Sequence, residues 1–242
     1  AEENEIPALV AAHPGVAIQA GFQYLFSSSV REALRLWQTG VFGKALHFEF
    51  RYYHGDYLRK EYRDKRQTRL TPAPDGGAMA DLGSHAISLL LAFLGNEIRA
   101  VSAIQSGSFD DVDRRSDLFS MLQLRDENSG AAGSLAASRI ASGTGDLLSF
   151  EIYAEKGTLK YSSHTADYFE YCLDDSSLWT RHTAGSSYPP VTSFPSGHVP
   201  PGWLRSMIHA HYVFLNDAAG EPFVPGISHG LQVQRLIRET AA

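Results

Sequence analysis

Leu147-Leu148-Ser149-Phe150-Glu151-Ile152-Tyr153-Ala154, a turn at Glu155-Lys156-Gly157, and then Thr158-Leu159-Lys160-Tyr161 read as two short strands joined by a tight connection. Apolar and polar side chains alternate along them, as a half-buried strand requires. Working outward, Ile98–Gln105, Asp117–Leu124, Gly133–Ile140 and Tyr168–Leu173 have the same character, and glycine, asparagine and charged turns separate them. Many strands at short spacing with no helix between them predict an antiparallel sheet. Ala45–Tyr53 adds an earlier alternating strand.

Helices flank this block. Ser27, Ser28 or Ser29 can cap a helix running to about Gln38, with Val30, Ala33, Leu34 and Trp37 on one face and Thr39-Gly40 as its stop. A second helix is predicted from Ala78 to Leu94, closed by Gly95, and two more at Trp203–Ala218 and Ile227–Thr240. Gly185–Gly202, rich in proline, serine and glycine, reads as a long loop. The charged run Leu58–Leu70 reads as a solvated loop or helix face. At the start, Glu2, Glu3, Glu5, Ile6, Leu9 and Val10 suggest part of an amphipathic helix ended by His13-Pro14-Gly15, and Val16–Phe22 a short buried strand. A helix followed by a lone strand is half of an α/β unit. The expected architecture is α+β: an open, mainly antiparallel sheet with helices on one face, preceded by that half unit.

Composition narrows the function classes. With 43% hydrophobic and 20% charged residues over 242 positions, the chain can bury a sizeable core. A net charge of −6 and the lack of a basic helix face argue against nucleic acid. The longest apolar run, Leu89 to Leu94, is too short to span a bilayer, so no membrane partner is expected. The single cysteine, Cys172, cannot form an internal disulfide, and a reducing, cytoplasmic setting is expected.

The stretch that carries chemistry is Gly76-Gly77-Ala78-Met79-Ala80-Asp81-Leu82-Gly83-Ser84-His85-Ala86-Ile87-Ser88. Asp81 and His85 are four apart on a helix and so share a face, which Ser88 continues. From Met79 to Gly95 there is no lysine, arginine or glutamate, so the polar stripe is expected to face a protected site. Such a pair suits proton transfer: histidine titrates near neutrality, and a carboxylate one turn away can fix its tautomer and favour its protonated form. An ordinary helix-stabilising pair has the same spacing. No further His or Asp nearby completes a metal shell, so no metal is expected. Tyr53, His54 and Asp56 lie where a strand enters a loop, and Arg139 ends another strand; these four are candidate substrate contacts. His209 and His211 read as packing and surface residues.

The pattern Gly76-Gly77-x-x-x-Asp81-x-Gly83-x-His85 resembles the active-site helix of the Gfo/Idh/MocA family of NAD(P)-dependent oxidoreductases. The similarity extends through Gly21-Phe22-Gln23-Tyr24-Leu25-Phe26, Gly40–Lys44, Gly133–Arg139, Phe150–Leu159 and Gly230–Gln234. The resemblance implies that His85 is a proton-transferring base with Asp81 as its acidic partner. It implies a sugar, inositol or related polyol as substrate and NAD or NADP as cofactor, with residues 1–26 the remnant of an absent Rossmann domain and 27–242 a substrate-binding and oligomerisation domain. Six or so alternating strands against about four helices leave one sheet face without an intramolecular cover, so an open apolar face and a homodimer or homotetramer formed through the sheet are expected. Two positions depart from the family pattern: Ser88 where a second aspartate is common, and Leu25 where an arginine is usual. The family's Glu-Lys-Pro motif and glycine-rich nucleotide loop are absent, and no G-x-G-x-x-G occurs. This chain alone is therefore expected to bind neither cofactor and to be inactive without its cofactor domain. The alternative is a non-catalytic small-molecule-binding, dimerisation or regulatory module derived from the same family.

Overall fold

The computed structural model describes residues 2–72, 75–107, 109–174, 177–184, 202–216 and 220–239. In chain order the elements are α1 (Glu2–Ala12), α2 (Ser28–Gln38), β1 (Ala45–Tyr53), α3 (Lys60–Lys65), α4 (Ser84–Leu94), β2 (Ile98–Ser106), β3 (Phe119–Asp126), β4 (Ala132–Ser138), β5 (Leu147–Ala154), β6 (Gly157–Ser162), β7 (Tyr168–Leu173), β8 (Thr180–Thr183), α5 (Trp203–Leu215) and α6 (Ile227–Glu239). The strands form one open sheet in the order β2-β3-β4-β1-β5-β6-β7-β8. Every neighbouring pair is antiparallel except β1 and β4, which run parallel with Phe48 opposite Gly133 and Tyr52 opposite Ala137. The α+β reading therefore holds, with one parallel pair at its centre.

Alternation sorts the sheet into two faces. Phe48, Phe50 and Tyr52 of β1, Leu135 and Ala137 of β4, and Phe150 and Ile152 of β5 are buried on the inner face with α4. Phe50 stacks on Phe150 at 5.2 Å, and Phe93 of α4 meets Phe150 at 4.8 Å. On the other face β1 exposes His47, Glu49 and Arg51, and β5 exposes Tyr153 beside Glu151. The expected apolar face is thus mixed: β1 and β5 present mainly polar, charged and amphipathic residues on it, while Ile104 of β2, opposite Met121, is apolar and exposed.

Three further expectations change. Val16–Phe22 is not a strand; Val16 is 61% exposed, and the segment is tied to the body by Ala20 N–H donating to the Pro225 carbonyl at 2.7 Å. No described strand lies beside it, and an unpaired backbone gains nothing from burial. Thr180–Thr183 does form a strand, paired antiparallel with β7, although its four exposed polar residues carry no periodic signal. The charged run is only partly a solvated face. Lys60 pairs with Asp64 on the surface, but Arg63 is buried, 3.0 Å from Asp111 and 4.0 Å over the Phe109 ring. The predicted Gly185–Gly202 loop lies largely outside the described residues. Tyr24, Leu25 and Phe26, expected in the remnant, lie in the same core as α2 and the sheet.

Candidate functional site

The site helix begins irregularly. Met79–Gly83 forms a π-helical turn that runs straight into α4. Asp117 sets its start: its carbonyl accepts from Ala78 N–H at 2.8 Å and its carboxylate from Met79 N–H at 2.8 Å. Their spacing suggested a hydrogen bond between Asp81 and His85; none forms, and the Asp81 carboxylate is engaged elsewhere.

His85 instead enters an aromatic cage. Its ring lies edge-on to Tyr24 at 5.3 Å, Tyr52 at 6.0 Å and Phe22 at 6.1 Å. Tyr24 comes from the short 3₁₀ turn before α2 and Tyr52 from the end of β1. Their hydroxyls lie 2.6 Å apart, one donating to the other. Burial pushes the Tyr52 phenol up to about 12 and Tyr24 higher still. Among the described residues the buried Nδ1 of His85 has no hydrogen-bond partner. Burial among these rings drives the imidazole down to about 4, against an upward pull from Asp81. The ring is therefore neutral at pH 7. The expected protonated form is corrected, because desolvation outweighs one carboxylate that other groups have already neutralised.

Those groups are arginines. Asp81 Oδ2 lies 2.7 Å from Arg139 Nη2 and 3.3 Å from Arg69 Nη1. Arg139 is wholly buried, with its guanidinium 4.6 Å over the Tyr57 ring. His54 is also buried and stacks on Tyr57 at 5.9 Å, and burial lowers its pKa. Asp56 pairs with Arg59 at 2.5 Å. Strand alternation sends Tyr53 to the face opposite Tyr52. Ser88, the last member of the predicted stripe, lies 2.8 Å from Nε2 of His229 on α6. His229 shares Phe22 with His85, at 5.5 Å, and burial drives it too to about 4.

Arg139, Asp81 and His54 thus gather around Tyr57, while His85 sits with Tyr24 and Tyr52. Sequence reasoning missed Tyr52, although the alternation Phe48, Phe50, Tyr52 puts it on the inner face with α4. It also missed Tyr24, His229 and Asp146. Beside Tyr24 opens a cavity of about 200 Å³ lined by Ser27, Asp146, Tyr161, Ser163 and Ser206. A larger hollow of about 410 Å³ runs along Gly55, Asp56, Leu58 and Ser142 and shares Asp146 with the first. Asp146 carries no local sequence signal, because it sits in a glycine-rich turn that only the fold brings to Tyr24.

An open eight-stranded sheet with a histidine-bearing helix across its centre defines an α+β domain, and the candidate site residues gather between strand ends and the chain segment before α2. Residues 30–160, more than half of the chain, match the family model described as the GFO/IDH/MocA C-terminal domain, and the chain belongs to that family. Levoglucosan dehydrogenase of Pseudarthrobacter phenanthrenivorans is 24% identical over 261 residues, which cover 91% of this chain and 64% of that protein. The chain thus spans just under two thirds of the length of that relative. The solved structure of a levoglucosan dehydrogenase in complex with NADH and levoglucosan aligns with a TM-score of 0.76 at 23% identity, covering 99% of this chain and 68% of that one. An inositol dehydrogenase homolog from Azotobacter vinelandii in complex with NAD+ aligns with a TM-score of 0.80 at 18% identity, covering 99% and 66%.

Proposed function

We propose that this chain is the substrate-binding and self-associating part of an NAD(P)-dependent oxidoreductase that acts on a sugar, inositol or related polyol, with His85 as general base. One observation carries the reading: a neutral imidazole, caged by Tyr24, Tyr52 and Phe22, whose buried Nδ1 has no partner among the described residues. When a secondary alcohol is oxidised its hydroxyl proton must go to a base, and a neutral imidazole is the accepting form. Asp81 acts on the ring through its charge and not by a hydrogen bond. The hydroxyls and carboxylate around the 200 Å³ cavity offer what a polyhydroxylated ligand needs: Asp146 can only accept, and sugar hydroxyls donate. His54 and Asp56, with Asp146, are the proposed outer contacts, while Tyr53 lies farther off, on the opposite face of the sheet. The relatives' complexes with NADH, NAD+ and levoglucosan support the substrate and cofactor class.

The residues of this chain do not fit the dinucleotide itself. No G-x-G-x-x-G is present to turn a backbone around a pyrophosphate. The proposal therefore gives the nicotinamide cofactor to a domain outside this sequence, and the proton side of the reaction to this chain. A reducing, cytoplasmic setting belongs to the same reading.

A ligand-binding experiment tests the substrate class. Neutral polyols and anhydro sugars added to the chain should shift the NMR signals of His85 and Tyr24, and Asp146→Asn should weaken the response several-fold. If a broad panel of sugars and polyols leaves those rings undisturbed, the substrate class is wrong. Calorimetric titration with NAD or NADP should show no binding by the chain alone, and a micromolar dissociation constant for either would contradict the division of labour.

A further inference from the structure

We propose that Arg139, aided by Arg69, is a positioning residue: by binding the carboxylate of Asp81 it keeps that group off the His85 ring and holds the imidazole in its neutral, proton-accepting form. The proposal rests on the reading of His85 as the base.

A wholly buried guanidinium cannot shed its proton, so it needs an anion beside it. Among the described residues Asp81 is the anion within ion-pair distance, at 2.7 Å. The arginine is itself locked. It follows the last residue of β4, its N–H donates to the Leu118 carbonyl at 2.8 Å, and its carbonyl accepts from Tyr57 N–H at 3.2 Å. Its guanidinium lies over the Tyr57 ring, and Nη1 donates to the Arg69 carbonyl. Arg69 then returns its own guanidinium to the same oxygen of Asp81. Two cations on one carboxylate oxygen oppose the field that Asp81 places on the imidazole. A free carboxylate one turn away would do the reverse, accepting a hydrogen bond from a protonated Nδ1 and favouring imidazolium.

The other groups around the ring do not substitute for this control. Tyr24 and Tyr52 face it from the 3₁₀ turn and β1, both with phenols held protonated by burial. Asp146 stands beyond their hydroxyls, and His229, itself driven neutral by burial, is separated from His85 by Phe22. Asp81 is the charge on the ring's own helix, and the arginines decide its effect.

Proton NMR titration of the histidine ring signals of the 242-residue chain reads this directly, the His85 signal being identified by its loss in His85→Gln. The wild-type ring should titrate below pH 5. Arg139→Gln should raise that midpoint by at least one pH unit, and adding Asp81→Asn should bring it back below 5. Arg69→Gln removes a side chain that is 46% exposed, which does not threaten the fold, and should raise the midpoint less but in the same direction. If Arg139→Gln does not fold, Arg69→Gln decides alone. An unmoved His85 midpoint in the folded variants overturns the proposal, as does a rise that persists when Asp81 is neutralised. Loss of catalytic importance for His85 with these shifts intact would overturn the base assignment alone, so the two failures are distinguishable.

Discussion

Gly77 and Asp117 decide where the site helix begins. Gly77 has a φ of 85°, and a Cβ there would run into the Asp117 carboxylate. Gly77→Ala therefore combines a left-handed backbone with displacement of the group that holds Met79 N–H, and should cost about 2 kcal/mol or more by denaturant unfolding. Burial pushes the Asp117 carboxyl up to about 6, and its Oδ1 has no partner among the described residues, where a proton can sit. The folded state then keeps a proton that the unfolded chain releases near pH 4, so this group's contribution to stability falls as pH rises from about 4 to about 6. His85 and His229 act in the opposite sense. Their folded values near 4 lie below the unfolded 6.5, so their contribution is full above 6.5 and lost as pH falls toward 4. Each protonation difference is worth about 1.4 kcal/mol per pH unit, and two rings outweigh one carboxyl. Stability measured by urea unfolding should fall between pH 7 and 4.5. Asp117→Asn should steepen that fall and His229→Gln should flatten it, and a pH-independent midpoint would contradict the buried-imidazole picture.

At the scale of elements, the parallel contact of β1 with β4 is the most sensitive joint. Gly133 faces Phe48, and a Cβ at Gly133 would meet both the Phe48 carbonyl and its ring. Gly133→Ala should force the two central strands apart and destabilise the chain by roughly 1–3 kcal/mol, as overpacking of a core does. An unchanged unfolding midpoint would mean that the strands can shift freely. The sheet itself was legible because strand alternation leaves a record in Phe48, Phe50 and Tyr52 and in Phe150 and Ile152. β8 left none, because Thr180–Thr183 is held by backbone pairing at an exposed edge. His85 was legible from residue type and helix spacing. Its true neighbours were not, because Tyr24, Tyr52 and Phe22 reach it from other elements and Asp81 is drawn to Arg139 and Arg69, partners that a four-residue spacing cannot register. Arg139 was singled out at a strand end, but its commitment to Asp81 depends on burial that no local pattern reports.

For the whole molecule, the proposal includes self-association through the outer sheet face as a homodimer or homotetramer. That face carries His47, Glu49, Arg51 and Glu151 as well as the exposed Ile104, so pairing would combine complementary charges with Ile104 and the Tyr153 ring, which stacks on His47 at 5.2 Å. Sedimentation at roughly tens of micromolar should show a dimer or larger species at low salt that weakens as salt screens those charges. Monomer under all conditions would contradict it. The role of His85 as base is read from steady-state turnover of His85→Ala, made in a protein that joins this chain to a nucleotide-binding domain, with a polyol substrate found by screening. Turnover should fall by roughly 10²–10⁴-fold, the contribution of a positioned acid–base group, with cofactor affinity unchanged. Turnover within a few-fold of wild type, with chemistry limiting the rate, would contradict the account and leave His85 a packing residue of an aromatic core.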